Sequence, residues 1–292
     1  MIQLSSQRIV LWGSVAFVAL WTLIPFAGTM WASFMTEGQL VENLVRTIES
    51  PTLDNYRSVF GLGQASAVFG GQAEAVGRAF VNSGLVSLPT AAIGTAIAVL
   101  GGYAFGRYRF PFKNTLLFAL LMTRVLPPIA LIIPYFVLFA AIGLVGTHFG
   151  LILIYLTGVV PLLTWVLMGY FGSLPVEIER AARIDGCSRL GALWHVMIPM
   201  AIPGIAAAFI IAFLIAWNEL LFAMILVGGS PAETLSPAIL GLSPNMPGFR
   251  TIFVMFAAAS MLSTLPPLVL ALIFQRYITG LNIADPVTAM RD

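Results

Sequence analysis

The chain has 292 residues, of which 14 are basic and 12 acidic, and 59% are apolar. Charged residues make up 9%, against roughly 25% in a soluble domain, and mean hydropathy is +0.97. So few charges cannot cover the surface of a water-soluble globule, and so apolar a chain is not disordered, which leaves an integral membrane protein.

Stretches free of charge locate the spans, since a crossing helix needs about 20 mostly apolar residues. Residues 9–36 carry no charge after Arg8 and predict a first span at about 9–34. It reads as a retained helix, because no small-residue cleavage site follows it. Residues 35–77 are mixed, polar and Gly-rich and form a long connection. Residues 79–106 are uncharged and predict a second span at about 78–106. Between Lys113 and Glu177 the only charge is Arg124. Gly143, Gly146, His148 and Gly150 divide that stretch into spans at about 114–142 and 150–172. A fifth span is expected at about 201–227 and a sixth at about 250–278. Between them, residues 228–249 carry four prolines (Pro231, Pro237, Pro244, Pro247) and hardly any charge. Continuous apolar runs, rather than alternation, argue against a barrel. The expectation is one all-α integral membrane domain over 1–292 with six transmembrane helices.

Basic residues orient it. With the N-terminus inside, nine of the 14 lysines and arginines fall on the inner side: Arg8, Arg107, Arg109, Lys113, Arg180, Arg183, Arg189, Arg276 and Arg291. Both termini are then cytoplasmic, and 35–77 and 228–249 are outer loops. A net charge of +2 gives no basis for a nucleic-acid partner. The lone cysteine, Cys187, excludes an internal disulfide, and no Cys/His spacing suits a metal.

The inner loop 174–199, LPVEIERAARIDGCSRLGALWHVMIP, holds six of the 26 charges. It reads as two short helices around a turn. Pro175 suits a first helical position, and Glu177 and Glu179 favour the positive end of the helix dipole. Gly186 can end the first helix with a positive φ, and Ser188 can cap the second. Leu190, Leu193, Trp194 and Met197 then share one apolar face, and Pro199 and Pro203 mark the end of that helix. Such a helix beneath a membrane suits a groove in a soluble partner, while composition alone also allows a charged loop that only serves the inside-positive bias.

Glu179–Gly186, ERAARIDG, followed by Ile198–Pro199, resembles the EAA loop of ATP-binding-cassette importer permeases. Glu179, Ala182, Asp185, Gly186 and Pro199 match its fixed elements, while Arg180 and Cys187 stand where the family usually carries Ala. Tyr103–Lys113, Ala216–Glu219 and Phe274–Leu281 resemble further segments of the maltose-type, or carbohydrate, branch of that family. The tail Asp285–Asp292 does not resemble the usual ending. The resemblance implies a type I importer permease fold in a prokaryotic inner membrane. It implies as partners a second permease subunit, two ATP-binding subunits or a homodimer of one, and an extracytoplasmic solute-binding protein, besides membrane lipid. It also implies that 174–199 couples to the ATPase, with Glu179, Arg183 and Asp185 as polar contacts and Gly186 setting the bend. The outer loop 228–249 lies where related subunits reach toward the binding protein, making Pro237, Leu242, Pro244 and Asn245 candidate contacts; otherwise it is an ordinary interhelical connection.

Energy must come from elsewhere. Lys113 is the single lysine, and no G-x-x-x-x-G-K-[ST] loop exists, so this chain is expected to carry no cofactor, with ATP and Mg held by partner subunits. No nucleophile–base set can be assembled from two distant histidines, so no catalytic residue is expected. The alternative to an ATP-driven permease is a secondary transporter or channel working without an ATPase.

Arg124 and Glu219 interrupt apolar runs, where charges are costly and face a cavity or a partner. Arg124 is about 16 Å along a helix from Lys113, near the midplane. Three readings stand: a structural Arg–Glu contact, groups lining the solute path, or contacts to a partner permease. Arg124, Asn218 and Glu219 are the candidate path residues, and an anionic or polyhydroxylated solute would suit Arg124.

Overall fold

The computed structural model describes residues 2–42, 51–62, 64–242 and 249–278, and every described element is helical. Two compact units divide the chain: Met1–Arg78 with Ala238–Leu265, and Ala79–Pro237 with Pro266–Asp292.

In the first unit, α1 (Ile2–Ser33) is the first predicted span. From Val10 to Ile24 its apolar side chains stand exposed, which is stable only against lipid or another apolar helix. A short α2 (Glu37–Glu42) and α3 (Asp54–Val59) follow. Asn55 of α3 pins the end of α1: its Nδ2 donates to the carbonyls of Ser33 and Met35, both at 2.8 Å. The hydroxyls of Ser33 and Tyr56 meet at 2.6 Å.

α4 (Gln64–Arg107) starts well inside the segment expected to be an outer loop. Its 44 residues extend about 66 Å at 1.5 Å per residue, against a hydrocarbon core of about 30 Å. The polar sequence QASAVFGGQAEAVG has enough alanine to continue a helix after the apolar pattern stops.

The second unit contains the rest of α4 and most of the later helices. α5 (Lys113–Met122) and α6 (Pro128–Ala141) replace the single third span expected over 114–142. Pro127 and Pro128 cause the break. Pro127 is extended, at φ −64° and ψ 130°, and a proline excludes its preceding residue from the helical region.

α7 (His148–Ser173) matches the fourth span, with Thr147 as cap accepting from the Gly150 N–H. It lies directly against α4. A Cβ on Gly102 would come within 2.7 Å of the Leu167 Cβ, and one on Gly106 within 2.8 Å of the Met168 carbonyl oxygen. Small residues at such positions let apolar helices approach closely where lipid supplies no hydrophobic drive.

α8 (Val176–Ile184) and α9 (Arg189–Ala192) form the inner loop. The second loop helix does not stop at Pro199 as expected. It passes through one π-helical turn, Leu193–Met197, into α10 (Ile198–Trp217). A proline removes the bond to the carbonyl four residues back and crowds it; the wider turn before Pro199 absorbs that crowding.

The fifth span is also interrupted. α10 ends at Trp217, and α11 (Leu221–Leu226) begins afresh. Then α12 (Leu235–Gly241) occupies part of the proline-rich outer loop; Pro237 sits in its first turn, where no intrahelical N–H is required. α13 (Phe249–Ile278) is the last helix. Five described helices are long and apolar enough to cross a membrane, and α5 and α6 are shorter apolar ones.

Candidate functional site

The inner loop is built as its sequence suggests, with one unforeseen brace. Gly186 has φ +93°, a conformation that side chains with a Cβ rarely adopt. The Cys187 N–H returns to the Ala182 carbonyl at 3.0 Å, closing the C-terminus of α8 in a Schellman-type turn. Ser188 then caps α9 by accepting from the Gly191 N–H at 3.0 Å. In the π turn, His195 Nδ1 lies 2.9 Å from the Gly191 carbonyl.

The side chains sort into two faces. Ala182, Leu193 and Met197 are buried, whereas Arg183, Asp185, Gly186 and Pro199 are exposed. The single apolar face expected of Leu190, Leu193, Trp194 and Met197 is split: Leu190 is 64% and Trp194 61% exposed, beside Ile184 at 85%. Leu193 and Met197 pack inward, Leu190 faces out, and Trp194 lines an apolar groove with Val99, Ile202 and Phe274.

Glu179 is turned inward and is buried. Its Oε1 accepts from the Tyr103 hydroxyl at 2.8 Å, and its Oε2 lies 3.2 Å from Arg107 Nε. Arg107 Nη2 also donates to the Pro175 carbonyl at 3.2 Å. Beside them, the Arg189 guanidinium stands 5.2 Å from the centre of the Tyr108 ring. The end of α4 is therefore fastened to both loop helices. From the sequence Arg107 served only to orient the chain and Tyr103 only as part of a family-like segment, although their spacing of four residues puts them on one helical face.

A second feature is a cavity of about 750 Å³ lined by α5, α6, α7, α10 and α11. Arg124, in the α5–α6 break, and Glu219, in the α10–α11 break, both line it. Arg124 Nη1 donates to the Gly158 carbonyl at 2.9 Å. Glu219 accepts the N–H groups of Phe222 and Ala223 at 3.0 and 3.1 Å, satisfying the open start of α11. Asn218 is not on this wall; its Nδ2 donates to the Leu214 carbonyl one turn back. Tyr155, which sequence reasoning did not single out, contributes a buried hydroxyl.

At the other end of α4, Asn82 Nδ2 donates to the carbonyls of Pro231 and Glu233 at 2.9 and 2.8 Å. Its Oδ1 lies 2.9 Å from His148 Nε2, which donates there because an amide oxygen only accepts. Ser83 Oγ accepts from the Leu235 N–H. The start of the outer loop is thereby clamped to α4 and α7. Of the candidate binding-protein contacts, Pro237 and Leu242 are buried; Pro244 and Asn245 lie outside the described residues, as does the tail Asp285–Asp292.

Apolar helices of crossing length, broken helices around a charged cavity, and a braced helical loop with an exposed apolar face define a polytopic membrane transport protein. Residues 94–280 match the family described as binding-protein-dependent transport system inner membrane component. The chain belongs to that family. It is 34% identical over 248 residues to the trehalose transport system permease protein SugB of Mycobacterium tuberculosis, covering 85% of this chain and 84% of the relative. It is 31% identical over 262 residues to the sulfoquinovosyl glycerol transport system permease protein SmoH of Agrobacterium fabrum, covering 89% and 87%. Its fold matches a chain in the crystal structure of a bacterial ABC transporter that imports the acidic polysaccharide alginate. There the TM-score is 0.75 and identity 21%, covering 94% of this chain and 97% of the other.

Proposed function

We propose that this chain is the permease subunit of an ATP-driven importer for a sugar or sugar-like solute, moved by alternating access. The observation that carries the reading is the 174–199 loop: two helices around the Gly186 bend, fastened to α4, presenting Ile184 and Leu190 outward. Exposed apolar side chains among charges are the pattern of a docking face. Held through Glu179 and Arg107, the loop moves with α4 as one lever, so closure of a bound ATPase would rock the membrane helices. The relatives that carry trehalose and sulfoquinovosyl glycerol support a glycoside-type solute.

In this reading the chain performs no catalysis. Two ATP-binding subunits hold ATP and Mg, a second permease completes the pathway, and an extracytoplasmic solute-binding protein delivers the solute at the outer loops. α5 and α6 together make one crossing, giving six, with both termini in the cytoplasm by the distribution of basic residues. Arg124 and Glu219 line the solute path.

The test is purification of the whole complex with Gly186→Pro in this chain. A proline cannot adopt φ +93°. The expected result is an assembled complex in which solute-stimulated ATP hydrolysis and uptake are lost together. Unchanged uptake, or a wild-type chain that transports without any ATPase, overturns the reading in favour of a secondary transporter or channel.

A further inference from the structure

The cavity at the α5–α6 break carries chemistry that coupling to an ATPase does not require. Much of its wall is apolar, including Leu120, Leu131, Leu156, Ile215 and Phe222. Against this wall stand Arg124, Glu219, Tyr155 and Thr157. Arg124 spends one N–H on the Gly158 carbonyl and forms no ion pair among the described residues. Most of a guanidinium's roughly five donors therefore remain unspent.

Glu219 is held rigidly by the two N–H groups of α11. A carboxylate has about four acceptor sites, so it keeps capacity for further donors. The Tyr155 hydroxyl is buried beside this carboxylate without meeting hydrogen-bond geometry. Both charged groups sit in helix breaks, where irregular backbone at membrane depth is tolerated because it lines a cavity. Solute sites of membrane transporters are typically built from such broken helices.

Glu219 shares the cavity, but its charge is offset by the start of α11, and a cation with free donors and no ion pair at this depth is costly unless a ligand answers it. An uncharged polyol would bond the guanidinium but leave it without an ion-pair partner. An anionic group would do both, while hydroxyls on the same solute would use Glu219 and Tyr155. The volume of about 750 Å³ is that of a site for a molecule of disaccharide size. We propose that this cavity is a solute-binding station for a polyhydroxylated solute carrying a carboxylate, sulfonate or phosphate. Arg124 takes the anionic group and Glu219 takes a hydroxyl. This rests on the importer reading.

The experiment uses the purified full transporter without its binding protein. Equilibrium binding is measured for a uronic-acid disaccharide and for its neutral methyl ester. The expected result is at least about tenfold tighter binding of the acid, the order of a charge-assisted hydrogen bond. Arg124→Gln should bring the two affinities together, Arg124→Lys should restore part of the preference, and Glu219→Gln should weaken both ligands. Equal binding of acid and ester by the wild type, a preference that survives Arg124→Gln, or no binding of either overturns the proposal. Failure of the importer reading is a separate result, seen as absence of an ATPase from the purified complex.

Discussion

The Glu179 carboxylate and the Arg107 guanidinium, 72 positions apart in the chain, pair at 3.2 Å where the second long helix meets the inner loop. Tyr103 donates to the same carboxylate at 2.8 Å. The pair is nearly closed to solvent, with side chains 7% and 11% exposed, so it is not screened as a surface ion pair would be. It turns α8 and the end of α4 into one mechanical part.

Removing one partner of a buried pair leaves the other charge uncompensated and typically costs about 3–5 kcal/mol. Arg107→Leu is expected to free α8 from α4, with Glu179→Gln milder because the Tyr103 bond can persist. The lone cysteine reports on this: Cys187 is half-buried beside the bend. Thiol labelling of Cys187 should be faster in Arg107→Leu than in the wild type, and solute-stimulated ATP hydrolysis should fall in parallel. Unchanged labelling would show that the pair does not brace the loop.

The contact of α4 with α7 depends on the absence of a side chain. A Cβ at position 102 would lie 2.7 Å from the Leu167 Cβ and 2.9 Å from its carbonyl carbon. Backbone cannot yield as a flexible side chain does, so Gly102→Val should force the helices apart. Overpacking typically costs about 1–3 kcal/mol, which should appear as a lower midpoint of thermal unfolding in detergent. Gly169, with nothing near its Cβ position, is the control: Gly169→Ala should leave the midpoint close to that of the wild type.

Asn82 holds two carbonyls of the outer loop and the His148 ring. Asn82→Leu leaves those groups unpaired, at roughly 1–3 kcal/mol for each buried one. Residues 230–235 should then exchange amide hydrogens faster, and stimulation of ATP hydrolysis by the binding protein should weaken. Asn82→Asp keeps an acceptor for His148 but loses both donors, so it should loosen the segment as well. Protection unchanged in both variants would remove Asn82 from the anchoring of this loop.

Much of the inner loop was legible in the sequence because its signals are local. A glycine needed for positive φ, a serine cap and acids in the first turn act within a few residues of themselves. The direction of Glu179 was not legible. Its partners Tyr103 and Arg107 lie on another helix, and only packing brings them together. The break at Pro127–Pro128 was written in two adjacent prolines but was hidden by the unbroken apolar run around them. The start of α4 at Gln64 was missed because hydropathy marks where a helix enters lipid, not where the helix begins.

The sequence by itself determined that this is a helical membrane protein, where its long apolar helices lie and which loop carries the charge, since composition and periodicity respond directly to the bilayer. Tertiary structure alone decided that Arg124 and Glu219 line one cavity and that Glu179 faces inward. Those outcomes depend on which helices pack together, and contacts between residues far apart in the chain leave no periodic trace in it.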